Sequence, residues 1–246
     1  MDRIIYTAMS GANASAQRQA LLANNLANAS TNGFRAEMAT FRAVPVRGDG
    51  ATTRVFSAEA SSGYVDRPGQ VQRTGRPMDA MAKDNAWFAV QGLDGTEAYT
   101  RAGSMEVTPE GNVVNSSGLQ MLSDGGAPLT APAGAELSIG SDGIVTAKSS
   151  GQPPTAIGKL KLVKPTAEDP LVRSGDGLFR SKSGEPLTND PTAKVEPGVL
   201  EGSNVNPVET MVGMIQMARQ FEVQMKMLQN AEANDKSASQ LLASRG

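Results

Sequence analysis

The chain has 246 residues and contains neither cysteine nor histidine. Without cysteine there are no disulfides, thiolate nucleophiles or thiolate metal sites. Without histidine the commonest general base is missing, and most nucleophile–base pairs and zinc sites go with it. An enzyme would have to work with carboxylates, lysine, serine or tyrosine, and the acids are scattered through turns with no evident pair. No catalytic residue, metal, cofactor or small-molecule substrate is expected. Aromatic residues are 4%, and Trp87 is the sole tryptophan. Hydrophobic residues reach 39%, below the ~45–50% usual in globular domains, so a core can form but not over the whole length. The net charge of −2 offers no electrostatic case for nucleic acid or an anionic membrane. No stretch approaches the ~18 apolar residues of a membrane span. The run Ile4-Ile5-Tyr6 is too short for a cleavable secretion signal.

What is present falls into zones. Residues 3–29 hold no proline and a single glycine, Gly11. Ile5, Met9, Ala12, Ala16, Ala20, Ala23 and Ala27 recur at steps of three and four, which predicts a helix with a mostly alanine stripe. Alanine buries little area, so this stripe needs a cover. Residues 34–79 carry few apolar clusters and read as extended or irregular. Residues 80–190 read as a mainly antiparallel β domain. "NAWFAVQG" (Asn85 to Gly92) is a strand bounded by turn residues. In "KLKLVK", Leu160 and Leu162 share one face, with Lys159 and Lys161 on the other. "AELSIGSDGIVTA" is a hairpin around Ser141-Asp142-Gly143. Residues 191–205 read as a return connection. From 206 to 246 a second helix is predicted, with Asn206 as N-cap, Pro207 in its first turn and Glu209 at N3. Met211, Met214, Ala218, Phe221, Met225 and Leu228 keep coiled-coil spacing, and Val212 and Ile215 widen the stripe. The fold class is therefore α+β. The terminal helices pair as an antiparallel coiled coil, with an extended segment and a β domain between them. Two helices enclose no centre, so assembly of many copies would cover the faces left wet.

"ANNLANASTNGFR" (Ala23 to Arg35) raises a separate question, with Asn24, Asn25, Asn28 and Asn32 crowded among leucines. One reading is that Asn28, Asn32 and Gly33 simply terminate a helix. The other is that the amides are contact groups, able to donate and accept without a charge to desolvate. In the second reading, Gly33 allows a positive φ at the helix exit and Phe34 anchors the chain against the neighbouring segment. Arg47-Gly48-Asp49 spells an adhesion tripeptide, which a polar loop produces easily by chance.

These residues carry a resemblance. "ANNLANASTNGFR" resembles the N-terminal signature of the bacterial flagellar rod and hook family. "LEGSNVNPVETMVGMI" (Leu200 to Ile215), with Arg219, Phe221 and Glu222, resembles its C-terminal signature, and "DNAWFAVQG" resembles the first strand of its β domain. Asn32 stands where many members carry proline. The opening "MDRIIYTAMSGA", the segment "FRAVPV" and the length are similar to proximal-rod members more than to distal-rod ones.

The resemblance implies a non-enzymatic subunit of the flagellar basal-body rod in the periplasm. It implies export through the flagellar type III apparatus without a cleaved signal. Helical polymerisation with itself and other rod subunits, proximal and distal, would build a hollow drive shaft that transmits torque. The assembly surface expected at the N-terminal end comprises Ile5, Met9, Ala12, Ala16, Leu22 and Leu26, with Asn24, Asn25, Asn28, Thr31, Gly33 and Phe34. At the C-terminal end it comprises Leu200, Glu201, Gly202, Ser203, Asn204, Val205 and Pro207, and the helical positions Met211, Met214, Ile215, Ala218, Phe221, Met225 and Leu228. The competing class is a monomeric adaptor that docks through its helical hairpin and does not self-associate.

Overall fold

The computed structural model describes residues 4–45, 55–149 and 151–243; the tripeptide at 47–49 lies outside them. The protein forms two compact units, each discontinuous in sequence. One takes residues 1–29, 36–65 and 205–246, the other 30–35 and 66–204.

The first unit holds helix α1 (Ile4–Ala27), strands β1 (Glu37–Pro45) and β2 (Val55–Tyr64), and helix α2 (Pro207–Ala243). α2 starts where its capping residues require. The Asn206 side-chain oxygen accepts from the Val208 and Glu209 amides at 3.1 and 3.3 Å, satisfying two of the donors a helix start leaves free. The helices pack side by side and antiparallel: Gly11 of α1 sits against Gln224, and Leu22 of α1 against Gly213. The segment expected to be extended or irregular contains a regular antiparallel hairpin, β1 with β2, whose register shifts between Thr40 and Phe41. Its alternation of half-covered Glu37, Ala39 and Phe41 with exposed Met38, Thr40 and Arg42 is the period-two pattern of a sheet covered on one face. That face lies on α1.

The rows that turn inward differ from those the spacing suggested. On α1 the covered row is Ile5, Ala8, Ala12, Ser15, Gln19, Leu22 and Leu26, whereas Met9, Ala16, Ala20, Ala23 and Ala27 are exposed. Alanine sits on any helix face at little cost, so it marks helix without marking the inside. On α2 the covered row runs through Thr210, Met214, Met217, Gln224 and Leu228, and Met211 and Met225 face water. Apolar residues at neighbouring positions allow more than one seam.

The second unit holds the remaining strands. They are β3 (Val71–Arg73), β4 (Ala80–Ala82), β5 (Trp87–Gln91), β6 (Glu97–Thr100), β7 (Met105–Val107), β8 (Val113–Asn115) and β9 (Glu136–Ile139). After them come β10 (Ile144–Lys148), β11 (Thr155–Lys159), β12 (Leu162–Val163), β13 (Leu171–Arg173), β14 (Phe179–Ser181), β15 (Val195–Pro197) and β16 (Val199–Glu201). The largest sheet has the order β12-β5-β6-β14-β13, and a second is β11-β10-β9. The β9–β10 hairpin turns at Asp142-Gly143, where the Asp142 carboxylate accepts from the Ile144 amide. The return connection is itself sheet: β15 pairs with β4, and β16 pairs with β3.

Phe88 and Val90 of β5 join Met105, Val113, Met121, Val145, Leu160 and Leu162 in one buried cluster. Trp87, out of phase with them, meets Phe179 at 4.6 Å between ring centroids. Lys161, on the face opposite Leu160 and Leu162, is buried and paired with Glu97 at 2.8 Å. A half-buried acid supplies what solvent otherwise would.

Candidate assembly site

The asparagine-rich stretch divides at the end of α1. Ala23 to Ala29, the last turn of α1 and the two residues after it, belong to the first unit, and Ser30 to Arg35 belong to the second.

In the first part, Asn25 is buried and its amide closes a two-way bond with the backbone of Glu37. Nδ2 donates to the Glu37 carbonyl at 2.9 Å, and Oδ1 accepts from the Glu37 amide at 2.8 Å. Both edges of the amide are spent within the subunit, on the first residue of β1. Asn25, expected at an assembly surface, thus has a role inside the subunit. An amide fits because it answers one donor and one acceptor at once, with no charge to desolvate. Asn28 is also engaged locally, donating to the Asn24 carbonyl at 3.0 Å. Asn24 remains exposed.

In the second part, Gly33 has φ +74° and its amide donates to the Glu201 carbonyl at 2.7 Å. A Cβ there would lie 2.3 Å from the Ala102 amide nitrogen, so only glycine fits. Thr31 is exposed and its carbonyl accepts from the Phe34 amide. Arg173 stacks over the Phe34 ring at 4.6 Å and donates to the Arg35 carbonyl at 3.0 Å. Phe34 is thus anchored within the β unit.

The Glu201 carboxylate, 1% exposed, is the centre of a buried clasp. One oxygen accepts from Arg35 and from the Gly69 amide at 2.9 Å. The other accepts from Arg101 through Nε at 2.7 Å and a terminal nitrogen at 2.6 Å. Arg101 also donates to the Ala86 carbonyl. Both guanidinium groups lie over the Trp87 ring, at 5.8 and 5.7 Å from its centroid, within cation–π range. Burial pushes the Arg101 guanidinium down from its ordinary value, and the Glu201 carboxylate pulls it back up. Four donors on two oxygens satisfy the carboxylate, the condition under which a buried ion pair is tolerated.

The C-terminal residues expected at the surface therefore divide. Leu200, Glu201 and Gly202 are buried in the β unit, and Ser203 is half-covered. Asn204 donates through its side chain to the Arg67 carbonyl at 2.9 Å. Val205 is half-covered, and Pro207 is exposed at the start of α2. Among the helical positions, Met214, Ala218 and Leu228 are half-covered. Met211, Ile215, Phe221 and Met225 are exposed, with Val208, Val212, Val223 and Met227. A cleft of about 340 Å³ in the same unit is lined by Ser10, Arg18, Phe41, Phe56, Met217 and Gln224, among others.

Arg101 and Trp87 are missing from the sequence-derived site. Their only signal is a lone charge in "AYTRAGSM" and a lone tryptophan, and neither indicates that the two meet Arg35 and Glu201.

Three family profiles match the sequence. "Flagella basal body rod protein" covers residues 5–35, "Flagellar hook protein FlgE/F/G D1 domain" residues 83–147, and "Flagellar basal body rod FlgEFG protein C-terminal" residues 196–241. Arg35 falls in the first, Trp87 and Arg101 in the second, and Glu201 in the third, so the clasp joins all three. The chain is 43% identical to the flagellar basal-body rod protein FlgF of Salmonella typhimurium, over 99% of each sequence. The FlgF of Escherichia coli matches at the same identity and coverage. A flagellar basal-body rod protein FlgG of Buchnera aphidicola is 30% identical, over 96% of this sequence and 98% of its own.

Proposed function

The chain belongs to the flagellar basal-body rod protein family, and from that premise we propose how its architecture serves the rod. It is a structural subunit of the proximal rod, not an enzyme, and it assembles with other rod subunits. In our reading the first unit is the polymerising part. Copies associate helically through α1 and α2, whose pairing continues as a coiled coil, into a hollow shaft that carries torque. The periplasmic location, and delivery by the type III export apparatus without a cleaved signal, belong to the same proposal.

The observation that carries it is the outer face of α2. Val208, Met211, Val212, Ile215, Val223 and Met227 are all exposed on a helix whose other face is already packed. So much large apolar surface on one element marks an interaction site. A heterologous contact that does not close on itself extends into a filament. The sites we assign to it are therefore the positions on that face, with Met211 and Ile215 first; Phe221 and Met225, less exposed, border the packed row. Asn25, Leu200, Glu201 and Gly202 serve the subunit's own fold.

The test is complementation of a strain lacking the protein with Met211→Asp or Ile215→Asp. Both residues are exposed, so subunit stability should change by no more than about 0.5 kcal/mol, with secretion intact. A buried unpaired carboxylate costs several kcal/mol, so rods and swimming should be lost. Normal rods from both variants would overturn the assignment, and a subunit that stays monomeric at all concentrations would favour the adaptor.

A further inference from the structure

Asn32-Gly33 is the sole Asn-Gly pair in the sequence, and the fold holds it in an unusual way. We propose that it is a latent deamidation and backbone-isomerisation site, held off by the closed β unit and released when that unit is open. The inference stands independently of the assembly proposal.

The chemistry needs only water. The Gly33 backbone nitrogen, losing its proton, attacks the Cγ carbonyl carbon of Asn32. A new bond forms between that carbon and the Gly33 nitrogen. The bond from Cγ to Nδ2 breaks, and ammonia leaves with the displaced proton. Water then opens the cyclic imide at either carbonyl, giving aspartate or a β-linked isoaspartate. Glycine is the most permissive successor because it has no Cβ to obstruct the attack and its backbone reaches the required dihedrals freely.

In the closed unit three features oppose the first step. The Gly33 N–H is engaged by the Glu201 carbonyl at 2.7 Å. Its φ is fixed at +74°. Its surroundings leave no room, since one added carbon would sit 2.3 Å from the Ala102 nitrogen and 2.4 Å from the Arg101 carbonyl carbon. The second observation concerns the product. Isoaspartate inserts a methylene into the backbone just before Gly33 and displaces the residue that has least space. The damaged backbone therefore cannot return Gly33 to Glu201, nor seat Arg35, two residues on, in the clasp.

The experiment incubates the full-length protein at neutral pH, in native buffer and unfolded in urea, and maps residue 32 by peptide mass spectrometry. Amide loss should be at least about tenfold slower in the native protein, as expected where reaction requires opening. Equal rates, or no product in the unfolded protein, overturn the proposal. Urea-aged protein is then refolded beside an identically aged Asn32→Gln variant. The fraction with isoaspartate should fail to recover a protease-resistant β unit, and the variant should recover it. Full recovery by the isoaspartate fraction overturns the coupling to folding.

Discussion

In the β unit, Trp87, Phe88, Tyr99, Met105 and Met121 are shut off from water. In the helical unit the only buried apolar side chains among the described residues are Ala8 and Ala12. The exposed large hydrophobics divide the opposite way, and most of them lie on α2, α1 and the hairpin. At ~25 cal/mol per Å² of buried apolar surface, alanine contacts supply little, so the helices are weakly held within a single subunit. The β unit has a complete core, while the helical unit has one face packed and another suited to further cover. A subunit built this way combines a β unit with a closed apolar core and helices that keep large apolar side chains exposed.

The comparison can be broken at its strongest point, the clasp. Glu201→Ala leaves Arg35 and Arg101 buried without their carboxylate and should destabilise the β unit by about 3–5 kcal/mol. Chemical denaturation followed by Trp87 fluorescence would register it, because both guanidinium groups lie over that ring. An unchanged midpoint would mean that the clasp contributes nothing.

A smaller effect is expected from Asn25→Leu. The substitution nearly keeps volume but removes the side-chain partner of the Glu37 amide and carbonyl, at a cost of about 1–3 kcal/mol. The loss should appear as faster hydrogen exchange in β1, while amides of β5 and β6 exchange as before. Uniform acceleration across both units would show that they do not unfold separately.

The smallest effect is an acid titration confined to the β unit. The Thr192 hydroxyl and amide, with Lys164 beside them, hold the Asp190 carboxyl down at about 2. A depressed folded-state value contributes stability above the unfolded value of ~3.9, and this is lost as pH falls through about 2. Thr192→Val removes the hydroxyl and should move the titration upward, read directly by carboxyl NMR. An unmoved value would assign the depression to the residue 192 amide and Lys164.

Where α2 begins was legible because capping is local chemistry: Asn206, Pro207 and Glu209 act within a few residues of one another. The β9–β10 turn and the strand at Trp87–Gln91 were legible for the same reason, as was the positive φ of Gly33. The hairpin at 37–64 was not. Its first strand is half-covered on one face only, and the cover comes from α1, whose residues are distant in sequence. The rows that turn inward on α1 and α2 were misread because spacing names several possible seams and only the partner selects one.

By itself the sequence determined the α+β class, the places where elements start and turn, the absence of cysteine and histidine chemistry, and the family signatures at both ends. Those are matters of composition and of neighbours along the backbone. Tertiary structure alone decided that Asn25 serves its own β1, and that Ser30 to Arg35 leave the helix to join the β unit. It also decided that Glu201 gathers Arg35, Gly69 and Arg101 around Trp87. A buried charge must find its partners in space, and Arg35 and Glu201 are 166 residues apart in sequence.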